Sequence, residues 1–228
     1  MLVFLAGCGE KGGAQRHGGT AARERQPAAD TAMAPPPPAI RNPRSVLLFL
    51  GTSLTAGLGV PADSAYPAVI RRRVDSLGLR WQVQNGGLAG ETSAGAVRRL
   101  PWLLQGPIRL LVIETGANDG LRGLDPDSTR ANLAAIVRQS RAFDSTMTIV
   151  LAGMEAPPNL GSAYTGRFRA VFRDVARRER LALIPFLLEG VGGVDSLNQA
   201  DGIHPTSRGH QLLAENVWHV LGPLLRRE

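Results

Sequence analysis

The sequence predicts an α/β fold, a three-layer α/β/α sandwich with helices on both faces of a five-stranded parallel sheet. Two observations carry that prediction. From about residue 45 to residue 225, strand-like and helix-like patterns alternate without interruption, which is the pattern of repeated βα units. Most of the strand segments, 80–84 excepted, are near-continuous apolar runs rather than apolar–polar alternations, as expected of strands covered on both faces. Length agrees: the patterned region has roughly 180 residues, the size of one domain, and no internal repeat is visible in it.

The elements follow in order. Residues 46–50 (VLLFL) read as a buried strand that runs into Gly51, then Thr52-Ser53-Leu54-Thr55, then Gly57 and Gly59. Residues 64–77 place Ala65, Val69, Ile70, Val74 and Leu77 at helical spacing, and Gly78 ends that helix. Residues 80–84 (RWQVQ) alternate as a short strand, followed by a loop to Gly90. A second helix is expected over 92–104, where Pro101 should kink the chain or begin a new turn. Residues 108–113 are a third strand, and 114–120 (ETGANDG) a loop of turn formers. A helix over 128–143 sets Leu133, Ile136, Val137 and Ala142 on one side, and 148–152 is a fourth strand. The loop 153–161 contains Pro157-Pro158, and a long helix covers 164–180. Residues 181–184 are the fifth strand; an irregular stretch then leads through 201–205 (DGIHP) to a last helix over 206–225.

Charge narrows the function classes. The formal net charge is +7, and among 26 basic residues Lys11 is the only lysine. The arginine runs at 71–73 and 177–178 fall in helical patterns and read as solvated faces. A nucleic-acid surface interleaves basic residues with aromatics, whereas aromatics make up 5% of this chain. No nucleic-acid partner is expected. A positive surface would favour anionic membranes or acidic substrates. No run of about 18 apolar residues, the length a spanning helix needs, occurs in the sequence.

The N-terminal part has a different composition. Residues 9–44 are mostly Gly, Ala, Arg and Pro, with four successive prolines at 35–38. Such a segment cannot bury enough apolar surface to offset its ordering entropy, and the prolines favour an extended form. It reads as a disordered tether. Residues 1–8 end in Leu5-Ala6-Gly7-Cys8, a tetrapeptide that resembles the lipobox of bacterial lipoproteins, in which the cysteine receives lipid. A full signal peptide has a basic n-region and ~7–15 apolar residues, so 1–8 reads as a truncated signal segment or a chance match. With one cysteine no intramolecular disulfide forms. The expected organisation is a signal-like 1–8, a tether over 9–44 and a folded domain over 45–228, held at the periplasmic side of a bacterial envelope by lipid on Cys8.

Parallel strands place their C-terminal ends on one edge, where open α/β sheets bind ligands. Ser53 follows the first strand, Gly90 the second and Asn118 the third, while Asp201 and His204 lie in the last loop on that edge. In the flavodoxin-like order 2-1-3-4-5 the switch point falls between strands one and three, those that carry Ser53 and Asn118. The residue types suit acyl transfer. A serine hydroxyl becomes nucleophilic when an imidazole takes its proton, and a carboxylate fixes the imidazole tautomer. Asp201 and His204 stand three apart in a loop tightened by Gly202 and Pro205, close enough to meet directly. The developing oxyanion needs preorganised donors. Gly90 offers a backbone N–H that substrate can approach, Asn118 a side-chain amide, and Ser53 its own N–H.

Each residue also has a plainer reading. Ser53 suits a helix N-cap, Gly90 a turn, Asn118 an Asx-turn, and Asp201 and His204 an exposed loop. His17 lies in the tether, and His210 and His219 on the terminal helix. Glu114 and Asp119 raise the idea of a metal site, but no His, Cys and carboxylate cluster has ligand spacing; no metal or other cofactor is expected. Residues 51–59 lack the Lys-Ser/Thr of a phosphate loop, and Leu54-Thr55 stand where the G-x-S-x-G elbow requires x-Gly.

Taken together, four blocks resemble the SGNH (GDSL-type) hydrolases, specifically the bacterial periplasmic thioesterase/protease/lysophospholipase and arylesterase branch. Gly51-Thr52-Ser53-Leu54 resembles the nucleophile block, Gly87-Leu88-Ala89-Gly90-Glu91-Thr92 the second, Gly116-Ala117-Asn118-Asp119-Gly120-Leu121-Arg122-Gly123 the third, and Asp201-Gly202-Ile203-His204-Pro205 the last. The resemblance spans about 45–224. It implies the SGNH hydrolase fold and a Ser53 acyl-enzyme, with Asp201 and His204 completing the triad and Ser53, Gly90 and Asn118 forming the oxyanion hole. It implies a small carboxylic ester or thioester as substrate. Acyl or acetyl transfer, carbohydrate deacetylation and a silent envelope binding role remain alternatives on the same scaffold. Thr52 stands where the family usually has Asp, and Ala117 where a glycine is common. In relatives the loop matching 154–164 is mobile and shapes the acyl site; Pro157-Pro158 should stiffen it here.

Overall fold

The computed structural model describes residues 44–226. Cys8, the signal-like segment and all but the last residue of the expected tether lie outside them. Strands β1 (Ser45–Gly51), β2 (Trp81–Gly87), β3 (Ile108–Ile113), β4 (Thr148–Ala152) and β5 (Ala182–Ile184) pair in parallel in the order β2-β1-β3-β4-β5. Seven helices connect or follow them: α1 (Ser53–Ala56), α2 (Tyr66–Ser76), α3 (Ser93–Leu103), α4 (Ala117–Leu121), α5 (Pro126–Phe143), α6 (Ser162–Glu179) and α7 (Ser207–Leu225). Helices α3, α5 and α6 pack side by side, and α2 packs on α7, so the sheet lies between two helical layers. The apolar runs explain this arrangement. Val46–Leu50 and Leu110–Ile113 are buried almost completely, and each such side chain contributes roughly 1.5–3 kcal/mol when removed from water.

Several expectations shift in detail. Strand β2 continues through Asn85, Gly86 and Gly87, where a loop is expected, because Gly86 and Gly87 pair with Leu50 and Gly51. Their lack of side chains is what admits the neighbouring turn: a Cβ on Gly87 would stand 2.2 Å from the Ala56 backbone nitrogen. The loop after β3 contains a short helix, α4, which the turn formers in its sequence conceal. Pro101 lies inside α3 but close to its end, and the helix runs on to Leu103. On α5 the buried stripe is Leu133, Ile136, Val137 and Ser140, while Ala142 faces solvent. Ser140 is tolerated there because its hydroxyl donates to the Ile136 carbonyl at 2.9 Å.

Two glycines seat α4. Gly116 has φ 102°, a backbone that favours glycine, and a Cβ there would meet Phe172 at 3.1 Å. A Cβ on Gly120 would meet Phe168 at 3.0 Å. Both phenylalanines are buried and meet edge to face, so α4 and the Asn118 it carries rest directly on the aromatic face of α6.

Candidate active site

Ser53 is the first residue of α1, and the N-cap position belongs to Thr52. The plainer reading of Ser53 as a helix cap therefore does not apply. Its hydroxyl lies 2.9 Å from His204 Nε2 instead, and His204 Nδ1 lies 2.7 Å from Asp201 Oδ2. A carboxylate can only accept, so Nδ1 carries the ring proton and Nε2 accepts from the Ser53 hydroxyl. Asp201 Oδ1 also accepts the backbone N–H groups of Ile203 and His204, both at 3.0 Å. The His204 N–H, its ring hydrogen bond and the Ile203 N–H together hold the Asp201 carboxyl down at about 2. Asp201 is thus an anion at any pH at which the enzyme would work.

Gly90 and Asn118 line the same cavity as Ser53 and His204. Gly90 has φ 76°, and a Cβ there would meet nothing within 4 Å. Glycine suits this position for its backbone, and the space in front of it belongs to the cavity. No acceptor among the described residues takes the N–H of Gly90 or of Ser53. Asn118 forms no Asx-turn. Its Nδ2 donates to the Glu91 carbonyl at 2.9 Å, which leaves the second Nδ2 hydrogen for another acceptor. The cavity measures about 490 Å³, within the usual range for small-molecule sites, and is walled by Leu54, Leu58, Leu121, Met154, Pro157 and Ile203 among others. The cavity is an apolar trough whose lining brings together a serine hydroxyl hydrogen-bonded to an imidazole, two backbone N–H groups without acceptors among the described residues and one unspent amide hydrogen.

Four supporting residues escape a reading of the sequence alone. Arg99 donates through Nε and Nη2 to both oxygens of Glu91, at 2.8 and 2.6 Å, and through Nη2 to the Gly86 carbonyl at 2.9 Å. That brace ties the Gly90–Glu91 turn to the end of β2. Gln199 donates to the Leu58 carbonyl at 2.8 Å and the Pro205 carbonyl at 2.9 Å, joining the His204 loop to the segment after Ser53. Asp119, considered as a metal ligand, accepts from the Ser93 backbone N–H at 2.8 Å and from the Ser93 and Thr129 hydroxyls.

Glu114 is the fourth. It is fully buried immediately after β3 and accepts from the N–H and hydroxyl of both Thr52 and Thr55. Partners are separated by up to 62 residues in the chain, and only the register of β1 against β3 brings them together.

Two expected outcomes follow from this support. The Glu91 side chain is 5% exposed and that of Arg99 20%, so Arg99→Met strands a buried carboxylate. Denaturant titration should show a loss of about 3 kcal/mol, and the paired variant Glu91→Gln/Arg99→Met should recover part of it. Glu114 supplies a pH dependence. Burial pushes its carboxyl up to about 6, against the hydrogen bonds from Thr52 and Thr55 that pull it down. A folded value above the unfolded one means a contribution present below about 4.5 and lost as pH rises through about 6. The loss amounts to roughly 2 kcal/mol. Stability of Glu114→Gln, measured by denaturation between pH 4 and 7.5, should lack that decline relative to the unaltered protein.

Known proteins match most of the described residues. The family model described as "GDSL-like Lipase/Acylhydrolase family" matches residues 49–212. The chain is 43% identical to the "Esterase TesA" of Pseudomonas aeruginosa over 180 residues, covering 78% of this chain and 89% of that protein. It is 33% identical to the "Thioesterase 1/protease 1/lysophospholipase L1" of Escherichia coli K12, covering 80% and 86%. Among solved structures, the psychrotrophic esterase EstA from Pseudoalteromonas, inhibited by monoethylphosphonate, superposes with a TM-score of 0.75 at 30% identity, covering 80% of this chain and 99% of that one. With the family match running from β1 into α7, and Ser53, Gly90, Asn118, Asp201 and His204 all inside it, the chain belongs to the GDSL-like lipase/acylhydrolase family.

Proposed function

We propose that this hydrolase cleaves carboxylic esters and thioesters through an acyl-enzyme on Ser53. The observation that carries the reading is the unbroken line Ser53 Oγ–His204 Nε2–Asp201 at 2.9 and 2.7 Å, opening on an apolar cavity. In this reading His204 takes the Ser53 proton as Oγ bonds to the acyl carbon. Asp201 stabilises the imidazolium, and the carbonyl oxygen becomes an oxyanion facing the N–H groups of Ser53 and Gly90 and the Asn118 amide. His204 then returns the proton to the departing alkoxide or thiolate. A water molecule, deprotonated by the same imidazole, releases the acid.

The names of the relatives, esterase, arylesterase and thioesterase/lysophospholipase, support this substrate class. So do the apolar walls of the cavity, which suit an acyl chain rather than a carbohydrate. A panel of p-nitrophenyl esters and acyl-CoAs, from acetyl to palmitoyl, tests it: kcat/KM should climb with chain length through the medium-chain acyl groups and then level off as the trough fills. A preference for acetyl over every longer acyl group would contradict the reading and favour a deacetylase.

The location proposed is the periplasmic face of a bacterial envelope, with lipid on Cys8. Its support is the Leu5-Ala6-Gly7-Cys8 tetrapeptide followed by the Pro- and Gly-rich stretch. No helix among the described residues is long and apolar enough to cross a membrane. Mass spectrometry of the native N-terminus decides the point: diacylglyceryl mass on Cys8 is expected, and a mature N-terminus with Cys8 unmodified would dismiss the anchor.

A further inference from the structure

A four-residue helix cannot hold itself in place. Forming a first turn is unfavourable without outside help, yet α1 carries Ser53 at its first position. The help comes from Glu114. The hydrogen bonds to its carboxylate arrive from two residues, Thr52 and Thr55, on either side of the nucleophile. Oε2 accepts the Thr52 N–H at 2.8 Å, the Thr55 N–H at 3.2 Å and the Thr55 hydroxyl at 2.7 Å, and Oε1 accepts the Thr52 hydroxyl at 2.9 Å. Thr52, in the N-cap position, makes no cap bond of its own within the helix. A carboxylate from the neighbouring strand end caps α1 in its place.

That substitution has a chemical consequence. Glu114 occupies the Thr55 N–H, the third in the helix, and the N–H of the cap residue itself, and leaves the Ser53 N–H free. The fit is close. A Cβ on Gly51 would lie 1.9 Å from Thr55 Oγ1 and 2.7 Å from Glu114 Oε2, so the approach depends on glycine. Since Thr55 Oγ1 gives its proton to Glu114, the buried Tyr66 hydroxyl, 2.7 Å away, must donate to Thr55. Tyr66 begins α2 and stacks on His210 of α7. The nucleophile turn is thereby fastened to β3 on one side and to the α2–α7 layer on the other.

We propose that Glu114 is a positioning residue for the Ser53 nucleophile, setting the rotation of α1 so that the Ser53 hydroxyl meets His204 while the Ser53 N–H stays open to the substrate oxygen. Thr52 is its matched partner. A threonine hydroxyl donates to a carboxylate or accepts from a neutral acid or an amide, whereas a second carboxylate at that position would oppose Glu114 charge to charge. The proposal rests on Ser53 being the nucleophile.

Four variants test it: Glu114→Ala, Glu114→Gln, Thr52→Val and Ser53→Ala. Each is assayed below its melting temperature, with folding checked by circular dichroism, for kcat, KM and the rate at which a fluorophosphonate labels Ser53. A displaced nucleophile costs on the order of 10² in rate, so Glu114→Ala should lower kcat about a hundredfold, slow labelling in parallel and leave KM within about twofold. Glu114→Gln should recover most of kcat. Its amide oxygen can take the Oε2 bonds while its NH₂ donates to Thr52 Oγ1. Thr52→Val should lower kcat about tenfold, roughly the worth of one hydrogen bond.

A folded Glu114→Ala with kcat within threefold of the parent overturns the proposal. An equal loss in Glu114→Gln overturns it too, since that result assigns the effect to charge. If Glu114→Ala does not fold, Thr52→Val decides: an unchanged kcat rejects the positioning role. Turnover retained by Ser53→Ala would instead reject the nucleophile assignment, so the two failures are distinguishable.

Discussion

Replacing Ser53 with alanine should abolish turnover while leaving the fold in place. In serine hydrolases with a nucleophile–imidazole–carboxylate line, loss of the nucleophile costs on the order of 10⁶ in kcat, because the three groups act as a unit. The structural cost is small by comparison. Ser53 Oγ makes a single hydrogen bond, to His204, and losing it removes about 1 kcal/mol. Its backbone contacts with the rest of α1 survive in alanine, the residue of highest helix propensity. The measurement is stopped-flow hydrolysis of a p-nitrophenyl ester. The parent should release a burst of nitrophenol equal to the enzyme concentration if deacylation limits the rate; the variant should show no burst, no acyl adduct by intact-mass spectrometry and no labelling by a fluorophosphonate. Residual turnover at more than a thousandth of the parent rate would remove Ser53 from the mechanism. It would redirect attention to a water activated directly by His204.

Much of this site lies on the surface of the sequence because its chemistry is carried by chain punctuation. Ser53 follows a five-residue apolar run and a glycine, and Asp201 and His204 sit in one tight loop; both are local patterns. The sheet order is legible for a related reason, since buried parallel strands leave continuous apolar runs such as 46–50 and 108–113. What escapes is what depends on register. Glu114 reads as a turn residue or a stray metal ligand until β1 and β3 are aligned, after which it faces Thr52 and Thr55. Nothing in the sequence sets Arg99 apart from the other arginines, yet its guanidinium spans Glu91 and the end of β2. Periodicity also misplaced Ala142. Ser140 takes the inward place because its hydroxyl is satisfied by the preceding turn, and a polar residue so satisfied is invisible to an apolar pattern.

Asn118→Ala should divide the two readings of that asparagine cleanly. As an oxyanion donor it contributes only when charge develops on the carbonyl oxygen, so its loss should fall on kcat, by about 10²–10³, with KM little changed. As a turn former it would contribute to stability and not to rate. The structure sets up the first case. Asn118 Nδ2 is aimed by its bond to the Glu91 carbonyl at 2.9 Å, and that carbonyl is fixed in turn by the Glu91–Arg99 brace. One hydrogen of the amide is thus spent on orientation while the other is free at the cavity wall. Asn118→Ala gives up the orienting bond, worth about 1 kcal/mol, so a small drop in melting temperature is expected alongside the large drop in kcat. Asn118→Asp sharpens the comparison. It keeps the shape but replaces a donor with an acceptor that repels both the Glu91 carbonyl and the oxyanion, and its kcat should fall at least as far as that of the alanine variant. A kcat within threefold of the parent in Asn118→Ala would leave the backbone N–H groups of Ser53 and Gly90 as the whole oxyanion site.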